Sequence, residues 1–223
     1  MLAGYCKPWL GIAYTRSWRA GILRLHWAAE KIIPSYLALS SYHDMLAIGT
    51  VLIEDDQPAE WPAFYGNILD AYSVKNLWGL FWHRLVYRSF SAHAQYLCET
   101  FFPLRSYDLA RRYFTTTIVF ALSGEIHRAI VRIMTPERCS RCGCDNSFWW
   151  YALQVFGMML EAVVQGVYRY VERMLLLEFS TTIERAVLVR VVGYVWVLCW
   201  LAWVTEQTDF PFIYCATARG SAN

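Results

Sequence analysis

The sequence predicts an all-α, polytopic integral membrane protein, a bundle of helices. Three observations carry this. Hydrophobic residues make up 57% of the chain and charged residues only 17%, against about 25% charged in ordinary soluble domains. Eleven tryptophans in 223 residues suit the headgroup level of a bilayer, where indole rings gather. Apolar blocks begin at Ile32, Tyr113, Phe148 and Ala186, each close to the ~20 residues that cross a hydrocarbon core. With shorter pieces between them, about four to six membrane-associated helices are expected. Membrane lipid is therefore the expected surrounding. A net charge of +2, without basic clusters interleaved with aromatics, excludes a nucleic-acid partner.

Taken in order, the chain opens on a basic segment, 1–31, carrying Lys7, Arg16, Arg19, Arg24 and Lys31 against the single acid Glu30. It has no long apolar run and no cleavage site, so no secretory signal is expected. The first span is Ile32 to Ile53, with Asp44 beside His43 as its only formal charge. Asp44 reads as a helix-packing or cavity residue. The acids Glu54, Asp55, Asp56 and Glu60 follow, and basic-before, acidic-after orients the N-terminus toward the cytosol. Pro62 and Gly66 break any helix, so Trp61 to Asn67 reads as a loop. Ser73 stands where an N-cap would, ahead of an amphipathic interfacial helix over Val74 to Phe90. Ala92 to Phe102 is a short or re-entrant helix, stopped by Pro103.

Tyr113 to Met134 is the stretch with the most chemical content. On a helix, Thr116, Phe120, Ser123, His127 and Val131 share one face, because residues three and four apart lie above one another. Glu125, Arg128 and Arg132 form a separate stripe able to pair internally. A histidine at that depth requires a cavity, a partner or a reaction to hold it. An interhelical hydrogen-bonding histidine is the plainer alternative.

The loop PERCSRCGCDNS follows, with Cys139, Cys142 and Cys144. A structural zinc site wants four ligands, commonly two knuckles, and here the second pair is missing. No metal is expected. Phe148 to Val171 is a further span with Gln154, Gly157 and Glu161 near one face, and a buried Glu161 requires a partner. Glu172 to Arg185 reads as a connector and Ala186 to Val204 as the last span. From Thr205 on, the chain reads as polar and frayed.

Three segments then resemble a family. They are Trp61-Pro62-Ala63-Phe64-Tyr65-Gly66, Leu77-Trp78-Gly79-Leu80-Phe81-Trp82-His83 and Ser123-Gly124-Glu125-Ile126-His127. In that order they resemble the WPPLFGS loop, the FWG-R-R-WH segment and the SGxxH helix end of the fungal wax-synthase-like branch of the membrane-bound O-acyltransferases. Leu153-Gln154, Gly157, Leu160-Glu161 and the closing Gly193-Tyr194-Val195-Trp196-Val197 are similar to two later helices. The likeness covers Trp61 to Thr208. Leu80 and Phe81 stand where the family pattern has arginines.

The resemblance implies one membrane domain over 1–223, with the acyltransferase core at 61–208, a tail at 209–223 and the N-terminal part of the family's membrane body absent. It implies transfer of an acyl group, in this branch acetyl from acetyl-CoA, to a hydroxyl of a hydrophobic alcohol, a terpenoid or meroterpenoid of a fungal secondary-metabolite pathway. Acyl-CoA would be a co-substrate, with no cofactor bound, and the endoplasmic reticulum the expected membrane. His127 would be the general base and His83 a hydrogen-bond donor to the thioester carbonyl or the acceptor. Trp78, Trp82, Phe120 and Ser123 would line the substrate site. Two alternatives stay open: an integral membrane terpene cyclase using Asp44, Glu125 or Glu161 as acids, and an inactive transferase remnant.

Overall fold

The computed structural model describes residues 18–53, 56–83, 87–101, 108–136, 146–174 and 182–220. Among them there is no strand. The long helices are α1 (Trp18–Leu52), α3 (Tyr87–Phe101), α4 (Asp108–Met134), α5 (Asn146–Met174) and α6 (Thr182–Gly220). Between α1 and α3 lie two short 3-10 turns, a single α-turn α2 (Val74–Asn76) and a π turn, Leu77–Phe81. The three loop cysteines, Cys139, Cys142 and Cys144, lie outside the described residues.

The core forms where the α2–π segment is driven between α5 and α6. Val74, Leu77 and Phe81 are buried there with Trp150 and Met158 of α5 and Val197, Trp200, Leu201 and Val204 of α6. Around this wedge α1 packs on α6, α4 on α5, and α3 on α4. Gly124 is what lets α4 and α5 approach: a Cβ there would stand 3.0 Å from the Cα of Phe148. Backbone cannot yield as a flexible side chain can.

Two helices are long and apolar enough to cross a membrane: α5, and α6 over Ala186–Asp209. Only 33% and 28% of their most apolar windows are buried, so their aliphatic faces point outward. Val163, Val164, Val167, Tyr170 and Met174 of α5, and Val187, Leu188, Val191 and Val192 of α6, are all exposed. An open apolar surface of this extent is what lipid covers. Of the four expected spans, those at Phe148 and Ala186 pass this test. The blocks at Ile32 and Tyr113 form helices without passing it, because charged and polar residues lower their hydropathy.

Several expectations are corrected. The first span begins earlier than Ile32: α1 is helical from Trp18 and runs about 52 Å at 1.5 Å per residue. Asp44 is neither packed nor in a cavity; its side chain is 71% exposed, beside His43. Ser73 does cap α2, its Oγ accepting from the Asn76 N–H at 3.0 Å. The helix expected over Val74 to Phe90, however, stops after Phe81. The Phe81 carbonyl accepts the Gly66 N–H at 2.8 Å, and Trp82 turns extended (φ −66°, ψ 149°). A tertiary hydrogen bond thus takes the acceptor that helix propagation needs. The chain beyond Thr205 is not frayed, since α6 continues to Gly220. Its first turns are docked on α1, where Glu206 meets Arg24 and Asp209 meets Lys31, both at 2.8 Å.

Candidate active site

The helix face of α4 foreseen from the sequence lines one wall of a cavity of about 1120 Å³. Thr116, Phe120, Ser123, His127 and Val131 all border it. Trp78, Gly79, Leu80, Trp82 and His83 line it from the π turn and its exit, and Lys31, Trp150 and Tyr151 from α1 and α5. All six residues singled out from the sequence, His127, His83, Trp78, Trp82, Ser123 and Phe120, therefore meet at one space.

His127 is fixed by its own helix. Its Nδ1 lies 2.8 Å from the Ser123 carbonyl oxygen. A carbonyl only accepts, so Nδ1 carries the hydrogen, and in the neutral ring Nε2 is left with the lone pair. The Tyr151 ring lies against the imidazole, with centroids 4.3 Å apart, and limits its tilt. The charged stripe beside it is also formed, Glu125 pairing with Arg128 at 2.7 Å.

His83 is held differently. Its ring stacks on Phe64 of the Trp-Pro loop, with centroids 5.3 Å apart, and meets Tyr65 edge-on. Its Nδ1 is buried without a hydrogen-bond partner among the described residues. Burial holds the His83 pKa below the usual histidine value, and the nearby His127 adds to this, so the ring is neutral at neutral pH. The Tyr65 phenol, buried and facing Tyr36, is pushed up to about 12; it remains an O–H donor, likewise unpartnered.

The aromatic wall is anchored from behind. Trp78 donates through Nε1 to Gln154 Oε1 at 3.2 Å, and its ring meets Trp82, Phe120 and Trp150 edge-on. Gln154 is fully buried and also donates to the Trp150 carbonyl at 3.1 Å. Glu161 finds its partners in α2 and α6. It accepts from the Val74 N–H at 2.5 Å, the Lys75 N–H at 3.2 Å and the Trp196 Nε1 at 2.7 Å. It therefore acts as an anionic cap on α2, satisfying the first free N–H groups of that turn.

The charges around the cavity are one-sided. Lys31, Lys75, Arg111 and Arg112 border it, and among the described residues no Asp or Glu does. Asp44, Glu125 and Glu161, the acids a cyclase would recruit, all lie elsewhere. The described residues hold no cluster of three potential metal ligands.

Sequence reading missed Lys31, Tyr151 and the anchoring role of Gln154. Tyr151 lies three residues before Gln154 on α5, so helical spacing carried a signal for that pair. Lys31 carried none, since it was one of five basic residues and its partner lies 178 positions away.

Comparison with known proteins fits this geometry. Residues 61–153 match the model of the membrane bound O-acyl transferase family. The acetyltransferase aurG of Calcarisporium arbuscula is 28% identical over 201 residues, which are 90% of this chain and 45% of that protein. The acetyltransferase ataH of Aspergillus terreus is 32% identical over 182 residues, 80% of this chain and 55% of that protein. The acetyltransferase spyB of Aspergillus fumigatus is 26% identical, covering 92% of this chain and 35% of its own. The chain spans about half the length, or less, of the curated relatives it matches. No solved structure matches it. Over residues 61–153 the chain is similar to the membrane bound O-acyl transferase family, and over most of its length to fungal acetyltransferases.

Proposed function

We propose that this protein transfers an acetyl group from acetyl-CoA to a hydroxyl of a hydrophobic small molecule, a terpenoid or meroterpenoid of a fungal secondary-metabolite pathway, at the endoplasmic reticulum membrane. The observation that carries the reading is His127. One ring nitrogen is committed to the Ser123 carbonyl and the other has no partner among the described residues, on the wall of an aromatic cavity. An alcohol is a poor nucleophile at its own pKa, and a neutral imidazole in hydrogen-bond reach takes its proton as it attacks. His83, neutral and poised on the same cavity, donates a hydrogen bond to the thioester carbonyl or orients the acceptor. The reaction needs no covalent acyl-enzyme.

The rest of the cavity supports the substrates. Trp78, Trp82 and Phe120 give an apolar acceptor flat surfaces to lie on. Lys75, Arg111 and Arg112 offer positive charge to a phosphate-bearing donor, where the family's arginine positions hold Leu80 and Phe81. An apolar enclosure keeps out water, which competes as acceptor.

The test is direct. Microsomes containing the protein are incubated with labelled acetyl-CoA and a lipid-soluble extract of the host. A new labelled ester with release of free CoA thiol is expected. Folded, membrane-inserted protein that forms no ester would favour the inactive-remnant alternative; an isomerised product without CoA release would favour a cyclase.

A further inference from the structure

Lys31 lies in the part of α1 that borders the cavity. Its ammonium is held from behind. Both oxygens of Asp209 on α6 lie 2.8 Å from Nζ, and the Trp150 ring lies under it, 5.1 Å to the centroid. Asp209 does not border the cavity. An ammonium has three donors; two serve Asp209, and the third has no partner among the described residues. Trp150 adjoins Tyr151, with ring centroids 5.0 Å apart, and Tyr151 lies on His127. Lys31 and His127 border the same cavity.

A second ion pair joins the same two helices. Arg24 meets Glu206 at 2.8 Å; its side chain is about as buried as that of Lys31, while Glu206 is more buried than Asp209. Arg24 does not border the cavity. Apolar residues would join α1 to α6 at a lower desolvation cost than a half-buried charge pair. A cation kept on an aromatic wall, backed by its counter-ion and with one N–H to spare, has the form of a preorganised electrophile.

We propose that Lys31 is a catalytic residue whose free N–H receives the acyl carbonyl oxygen, leaving His83 to orient the acceptor hydroxyl. This rests on the acyl-transfer reading. The alcohol oxygen bonds to the thioester carbon while its proton passes to Nε2 of His127. The carbonyl electron pair moves onto oxygen, where Lys31 stabilises it. On collapse the carbon–sulfur bond breaks, and the leaving thiolate takes the proton back from His127. The products are the ester and CoA thiol, and both side chains are returned unchanged.

The test compares Lys31→Met with Arg24→Met in microsomes, reading the initial rate of labelled ester at saturating acetyl-CoA per folded protein. Removing one oxyanion donor lowers turnover by about 10²–10³-fold. Lys31→Met is expected to show that loss, while Arg24→Met stays within about threefold of the unaltered protein, as for a partly exposed ion pair. If Lys31→Met leaves Asp209 unpaired and the protein fails to fold, Lys31→Met/Asp209→Leu removes both charges and is expected to show the same loss. A folded single or double variant turning over at the unaltered rate would overturn the proposal, as would equal losses in the Lys31 and Arg24 variants. Those results leave acyl transfer intact. No ester from the unaltered protein would instead sink the acyl-transfer reading, and the role of Lys31 with it.

Discussion

His127 stands in mid-helix with Nδ1 committed to a carbonyl 2.8 Å away, whereas His83 stands at the exit of a π turn with Nδ1 buried and without a partner among the described residues. The first has one tautomer dictated by its own backbone. The second is oriented by ring contacts with Phe64 and Tyr65, which fix its plane and leave its proton free to sit on either nitrogen. The difference teaches which role each can fill. A base needs its lone pair in one place at every turnover. A hydrogen-bond donor to an incoming group gains from a proton that adjusts.

The comparison breaks first at His127. His127→Ala is expected to lower turnover by at least about 10²-fold with the protein still folded, since general-base assistance is worth about 10²–10⁴-fold. Initial rates per folded molecule check this, and full specific activity would end the proposed mechanism. Next come two packing substitutions, each aimed at the support of one histidine. Gly124→Val forces backbone apart between α4 and α5 and should cost about 1–3 kcal/mol, with His127 displaced from Tyr151. Glu161→Gln presents an amide N–H₂ to donors that now meet a carboxylate, and should cost about 1–3 kcal/mol, loosening the turn that leads to His83. Thermal unfolding in detergent measures both. Under the cyclase alternative Glu161→Gln would abolish chemistry; under acyl transfer it lowers stability and spares turnover per folded molecule.

A smaller effect is expected at His83. His83→Ala should reduce turnover about tenfold, near the worth of one hydrogen bond, because water can stand in as donor. The smallest is a pH dependence. The folded-state pKa of His83 is held below 6.5 by burial, so the unfolded chain takes up its proton first as pH falls. Stability is complete above about pH 6.5 and declines as pH drops below it. A series of melting temperatures between pH 7.5 and 5 reads the slope, which His83→Phe should flatten.

The helix face carrying Thr116 to Val131, the Ser73 cap and the Trp-Pro loop were legible in the sequence because each depends on residues within a few positions. Two of the failures have one physical cause: partners far away in the chain. The helix expected through Phe90 ends because Gly66 takes the Phe81 carbonyl, and no local propensity encodes that bond. The polar residues after Val204 looked like a frayed end. In the fold Thr205 and Thr208 are buried, and Glu206 and Asp209 are paired with α1. Local polarity cannot distinguish a solvated tail from one face of an interhelical ion-pair ladder.

The Lys31–Asp209 pair also sets an order of events during synthesis. Its two residues are 178 positions apart, and at about 5–20 residues per second the ribosome takes roughly 9–36 s to travel between them. Once Phe148 has been made, in the last third of that interval, α4 and α5 can meet at Gly124, and His127 can already bond to Ser123. The α1 wall, by contrast, carries an ammonium with no counter-ion. A chain released before Asp209 emerges would hold the base and most of the aromatic wall without the α1–α6 closure. Such a chain would present the membrane with an uncompensated cation.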